Sequence, residues 1–212
     1  DEFENIIAEA SENGGNILIP SFAVGRTQEI IFRLGELYQE GKLRHQAVYL
    51  DSPMAIAVTE IYHRYQNVFN SEDVAALRQG KTGSLHTFLP VLRYSTSTEE
   101  SIALNRISDG AIIIAGSGMC NGGRILHHLK HNLESPRTAV IIVGYQAQGT
   151  LGRQLADGAK QVRILGQEFT VKARISQIHG FSAHADQSEL VRWLSALKRP
   201  PRQVFVVHGD EE

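Results

Sequence analysis

The chain is poor in cysteine, and its 212 residues contain only Cys120, which excludes an internal disulfide framework and suits a reducing compartment. Long apolar runs are missing as well. None approaches the roughly eighteen residues of a membrane-spanning helix, and no secretory signal pattern is visible. A cytoplasmic setting without membrane association is therefore expected. Excess charge is also absent: the net formal charge is −2, which gives no global attraction to nucleic acid, so any such binding must use a local patch. There is no internal repeat and no low-complexity segment. What remains, 42% hydrophobic and 21% charged residues, is the make-up of an ordinary globular protein. The length suffices for one large domain, or one domain plus part of another.

Short runs rich in Val and Ile alternate with helical patterns. Residues Asn16 to Pro20, Ala47 to Leu50, Ala111 to Ala115, Ala139 to Val143, Val171 to Ile178 and Val204 to Val207 read as strands. Several are apolar throughout, as strands covered on both faces must be. Arg26 to Tyr38, Pro53 to Phe69, Glu99 to Ile107 and Gly123 to Leu133 read as helices, with Ser97 and Glu100 placed for a capping box. The region from Asn70 to Leu89 is the least periodic and reads as a helical excursion or surface loop. Alternation of this kind predicts an α/β fold, a mainly parallel sheet with helices on both faces.

Three strand–turn–helix junctions carry polar groups. Residues 112–124 (IIIAGSGMCNGGR) form a glycine-rich turn in which the backbone can approach a ligand and helix N–H groups can meet an anion. It is not a Walker A loop, since no Gly-Lys-Ser/Thr follows. It is either such a cradle or merely a tight turn. In the helix after it, Ile125, Leu126, Leu129 and Leu133 make an apolar stripe. Arg124, His127, His128 and His131 are assigned to the opposite side, as a basic face more than as a metal site. Ser21, Arg26 and Thr27 place donors after the first strand, where open α/β sheets hold ligands. After the second strand, Asp51 and Ser52 precede Pro53. Asp51 is either a functional carboxylate or part of a helix cap, and the cap is the reading taken.

Near the end, Leu190, Trp193, Leu194 and Leu197 stripe a short helix that Asp186 and Glu189 can cap. His184 then lies in the loop before it, and His208 follows the strand Gln203 to Val207. Two histidines at the ends of core elements look like half of a metallohydrolase site. The other half, a His-x-His-x-Asp-His run, is absent, and the chain starts at Asp1. It reads as the back portion of an enzyme.

Four ordered motifs then become familiar: SGMCNGGR at 117–124, GYQAQGTLGR at 144–153, FSAHAD at 181–186 and VHGD at 207–210. Together they resemble the β-CASP branch of the metallo-β-lactamase superfamily, above all its RNA-processing zinc nucleases related to the cleavage-and-polyadenylation endonuclease. The resemblance implies a β-CASP domain over 1–178 and the start of a returning metallo-β-lactamase segment over 179–212. By it, His184 falls on the motif B histidine, a catalytic role in charge stabilisation or leaving-group protonation. His208 falls on the motif C histidine, a zinc ligand, and leans toward RNA over DNA. The motif A acid should lie upstream, and Asp51 does not match it. VHGD stands where many relatives have VHGE, a mild departure.

The implied chemistry is hydrolysis of RNA phosphodiester bonds by hydroxide bridging two zinc ions. The implied partner is single-stranded RNA, with a homo-oligomer also open. Three loops are expected to line the cleft: Gly116 to Arg124, Ser21 to Arg26 and Gln146 to Thr150. Their candidate RNA contacts are Ser21, Arg26, Ser117, Gly118, Gly122, Gly123, Arg124, Gln146 and Thr150. With at most one family zinc ligand, this chain alone is expected to be metal-free and inactive. The alternatives are a non-catalytic RNA-binding module and a DNA nuclease of the same superfamily.

Overall fold

The computed structural model of the chain describes residues 2–65, 85–178, 180, 185–205 and 207. Contacts divide the chain into two units, residues 1–181 and 182–212. His184, His208 and most of the region 70–89 lie outside the described residues; of the last, only a one-turn helix at Leu85–Phe88 and Leu89 are described.

In the first unit six strands form one sheet in the order β3-β2-β4-β1-β5-β8, and every pairing is parallel. They are β1 (Ile17–Pro20), β2 (Ala47–Asp51), β3 (Leu92–Tyr94), β4 (Ala111–Ala115), β5 (Ala139–Ile142) and β8 (Arg174–Gln177). The all-apolar runs of β1, β4 and β5 are buried at every position, as expected of central strands covered on both sides. Alternation along them separates two cores. Ile17, Ile19, Ile112, Ile114 and Ile141 face one side, and Leu18, Ile113, Val140 and Ile142 face the other.

The first side is covered by α1 (Glu2–Glu12), α2 (Arg26–Gln39) and α3 (Pro53–Arg64), through Phe3, Ile7, Ile31, Leu34 and Ile56. The second side is covered by α5 (Thr98–Leu104), α6 (Ile125–Asn132) and α7 (Leu151–Ala156), α4 being the turn at 85–88. A two-stranded antiparallel hairpin, β6 (Gln161–Ile164) with β7 (Gln167–Thr170), adds Val162 and Ile164 to this second core. Its turn uses Leu165 and Gly166, both at positive φ, the geometry that matches the twist of paired strands.

Several expectations need correction. Helix α5 stops at Leu104 because Asn105, Arg106 and Ile107 donate to carbonyls only three residues back. Strand β8 starts at Arg174, not Val171: the Val171 N–H turns to Lys160, and those of Lys172 and Ala173 to Leu133. Helix α3 ends at Arg64. The second unit holds α8 (Gln187–Ser195), with the expected Asp186–Glu189 capping box formed. The expected strand over 204–207 is not found among the described residues there, which are exposed and unpaired in any ladder. No strand is described elsewhere in that unit for it to join, and a lone strand leaves its backbone groups without partners.

Candidate functional site

The chain runs from β1 into α2 and from β2 into α3 on one face, yet from β4 into α6 on the other. Strand β4 lies between β1 and β2. Successive connections therefore diverge above the carboxyl end of β4 and leave a crevice, the place where open α/β sheets bind ligands. A cleft of about 330 Å³ opens there. Its walls are residues 21–23 after β1, 51–54 after β2, and 116–117 with 123–124 after β4. Helices α3 and α6 begin at these walls, which brings two positive dipole ends to the edge of the cleft.

The floor is a buried charge cluster that the spacing of residues did not reveal. Asp51 is fully buried at the end of β2 and accepts from Ser101 Oγ at 2.6 Å, His128 Nε2 at 2.6 Å and Arg124 Nη1 at 2.7 Å. Burial opposes its charge, but the hydrogen bonds from His128, Ser101 and Arg124 outweigh that and hold its pKa down at about 2. Arg124 also donates to the carbonyls of Ser95 and Thr96, tying the loop after β3 to the same cluster. His128 Nδ1 lies 2.8 Å from Asn105 Oδ1. Asn132 donates to the His128 carbonyl, and Asn16 links Asn132 to β4. Asp51 is thus no helix cap. Ser52 caps α3, accepting from Ala55 N, with Pro53 in the first turn.

The basic face expected on α6 is corrected too. His128 stands three residues after Ile125 and so shares its buried side, while His127 and His131 are exposed. Among the described residues no group of three or more His, Cys, Asp or Glu side chains is placed to hold a metal.

The glycine-rich loop folds back on itself. Gly116 O accepts from Ile125 N, and Gly122 O accepts from Ser117 N. The expected free N–H at the start of α6 is thereby taken up inside the loop. Gly123, at φ +75°, lies so close to Gly116 that a Cβ would sit 2.4 Å from the Gly116 oxygen. Ser117 Oγ accepts from Asn121 N, and Ser21 Oγ lies 3.0 Å from Thr27 Oγ1. Arg26 is half-buried and pairs with Glu29 at 2.5 Å.

The third expected wall is placed differently. Gln146 is buried and donates to the carbonyls of Gly118 and Gly144, beneath the loop. Thr150 is the N-cap of α7 and accepts from Arg153 N. Neither lines the cleft, nor do the buried Gly118 and the outlying Gly122; Ser21, Ser117, Gly123 and Arg124 do. Phe22 falls within the expected loop Ser21 to Arg26 without being singled out there, whereas Met54 escaped the sequence reading; they are 46% and 67% exposed. Their signal was an apolar side chain placed two or three positions beyond a strand's carboxyl end.

Comparison with known proteins agrees with this architecture. The Beta-Casp domain family matches residues 27–155, and the Zn-dependent metallo-hydrolase RNA specificity domain matches residues 168–212. The chain is 45% identical over its whole length to Ribonuclease TTHA0252 of Thermus thermophilus, of which it covers 47%. It is 34% identical over 96% of its length to an RNase J-like protein of Methanocaldococcus jannaschii, covering 45% of that protein. The transcription termination factor FttA of the same organism is 33% identical over 99% of the chain, which covers 33% of FttA. The chain spans half or less of the length of these relatives. An α/β unit with a parallel sheet, a cleft at its switch point and this match over most of that unit place the chain in the Beta-Casp domain family.

Proposed function

We propose that this chain is the RNA-holding part of a zinc-dependent ribonuclease that hydrolyses phosphodiester bonds in RNA processing or decay, in the cytoplasm. Residues 1–178 are the β-CASP domain, and 179–212 begin the return into a metallo-β-lactamase domain. The single observation that carries this reading is the cleft at the carboxyl ends of β1, β2 and β4, within a family whose relatives include a named ribonuclease. The wall after β4 offers the Ser117 hydroxyl and α3 begins at the wall after β2, a setting that accepts an anionic backbone without a large positive charge. Arg124 lines the cleft and Arg26 does not, and each guanidinium has a carboxylate partner: Glu29 for Arg26 and Asp51 for Arg124. Arg124 therefore fixes the wall more than it grips phosphate. Gln146 supports the glycine-rich loop from beneath through the Gly118 carbonyl.

Zinc belongs to the description of the family matched at 168–212. The described residues supply no metal-holding group, so they do not fit a zinc centre by themselves. In the proposal two zinc ions sit in the whole protein, with His208 as one ligand and His184 as the residue that stabilises charge or protonates the leaving oxygen. Both histidines lie outside the described residues. The test compares full-length protein with its His208→Ala form on end-labelled single-stranded RNA and on DNA of the same sequence. Cleavage of RNA that disappears in the variant, with binding retained, is expected. Unchanged behaviour of the variant would favour a non-catalytic RNA-binding module, and preference for DNA would favour a DNA nuclease.

A further inference from the structure

We propose that Phe22 is a stacking platform for one unpaired nucleobase of the bound strand, with Met54 forming the apolar lip beside it. This rests on the RNA reading above and assigns a specific contact within it. Both side chains line the cleft and are exposed in it, 46% for Phe22 and 67% for Met54. Exposed apolar side chains are common singly, but two lining one largely apolar cleft, Phe22 after β1 and Met54 after β2, suit a partner with an apolar face.

The ring is held in place from below and behind. A Cβ on Gly118 would lie 2.7 Å from a ring carbon, so the ring packs directly against the Gly118 backbone. The Phe22 carbonyl accepts from Thr27 Oγ1 at 2.7 Å and from Ser21 Oγ at 3.3 Å, and the next carbonyl, that of Ala23, accepts from Gln28 Nε2. A fixed backbone beneath an exposed ring loses little side-chain freedom on binding, which is what makes an aromatic platform effective. Ser117 lines the wall after β4, and the volume of about 330 Å³ is at the small-ligand end of the usual range. A planar base against Phe22 with its phosphate toward Ser117 fills such a space.

The experiment measures binding of fluorescein-labelled single-stranded RNA decamers by the full-length protein in a chelator, so that no cleavage intervenes. Wild type, Phe22→Ala and Phe22→Tyr are each titrated with an intact decamer and with a set of decamers carrying one abasic position. Phe22→Ala should weaken binding about five- to a hundredfold, and Phe22→Tyr should restore it. One abasic position should weaken wild type by a similar factor yet leave Phe22→Ala unaffected. Phe22→Ala binding within twofold of wild type, or abasic losses that persist in full in the variant, would overturn the platform while leaving the ribonuclease reading intact. No RNA binding by wild type, together with no RNA cleavage when zinc is restored, would overturn both. Circular dichroism of the variant separates a lost contact from a lost fold.

Discussion

His128 Nε2 donates to Asp51 Oδ2 at 2.6 Å, and neither side chain has any exposure to solvent. The two residues are 77 apart in the chain and join α6 to the end of β2. With Arg124 on the other carboxylate oxygen, they clamp the glycine-rich loop against the wall that carries Ser52 and Met54. Removing one member of a buried charge cluster leaves the others uncompensated. His128→Ala should therefore cost about 3–5 kcal/mol of unfolding free energy. Urea titration of the chain checks it, and a loss below 1 kcal/mol would show that water replaces the imidazole freely.

The same cluster predicts a pH dependence. The Asp51 carboxyl is held at about 2, below the ordinary value of 3.8, so its charged form is favoured in the folded state. A depressed carboxylate contributes stability above its unfolded pKa and loses it as pH falls toward the folded value. The urea midpoint should drop between roughly pH 4 and pH 2, in addition to losses from other carboxylates. Asp51→Asn should be less stable at neutral pH and show a shallower acid decline. An acid limb as steep in the variant as in wild type would remove Asp51 from the explanation.

Gly122 and Gly123 are neighbours with opposite requirements. Gly123 has φ +75° and no room for a Cβ beside the Gly116 carbonyl, whereas a Cβ at Gly122 meets nothing within 4 Å. Gly123→Ala should destabilise by about 2 kcal/mol or more, combining left-handed strain with displacement of the loop. Gly122→Ala should stay within about 0.5 kcal/mol of wild type. Thermal melts of the two variants side by side decide the matter, and equal melting temperatures would be inconsistent with this loop geometry.

Much of the framework was legible from residues alone. Uninterrupted runs such as Ile112-Ile113-Ile114 have few options except a strand buried on both faces, and Ser97 with Glu100 does form the capping box. Helix α1 was overlooked although Phe3, Ile7 and Ala10 keep helical spacing and are buried. The three-residue β3 and the hairpin at 161–170 are too short or too polar to stand out: Gln161, Arg163, Gln167 and Glu168 dilute the pattern. The Asp51 cluster was missed for a different reason. His128 looks polar on a helical wheel drawn by residue type, and only three-dimensional pairing with Asp51 makes its burial favourable. Phe22 and Met54 reverse that case, apolar residues left outside because the cleft, not the core, is where the strand ends place them.

Cys120 gives a chemical readout of the loop. It is 1% exposed, and burial pushes its thiol up to about 12. Only the thiolate reacts readily, so both access and ionisation are withheld in the folded state. Reaction with a thiol reagent at pH 8 should be slow and should follow global unfolding as urea is raised. Gly123→Ala, by loosening the loop, should expose Cys120 at lower urea than it unfolds the chain. Fast stoichiometric labelling of the native wild type would contradict the closed loop.

The metal prediction follows from how few ligands are on hand. Holding zinc in a hydrolytic site takes three or more protein donors, and the described residues bring no such group together. His208, the family's ligand by resemblance, adds one imidazole, which cannot by itself bind the ion tightly. The 212-residue chain should therefore take up no stoichiometric zinc in a calorimetric titration and should leave single-stranded RNA uncut. The full-length protein should do both, and chelation should abolish its cleavage. Addition of zinc should also leave the chain's melting temperature unmoved, because a ligand that binds only the folded state must raise it. Micromolar zinc affinity with zinc-dependent cleavage by the chain alone would mean that it assembles a metal site from the residues it has, and the division of labour between the two parts would have to be redrawn.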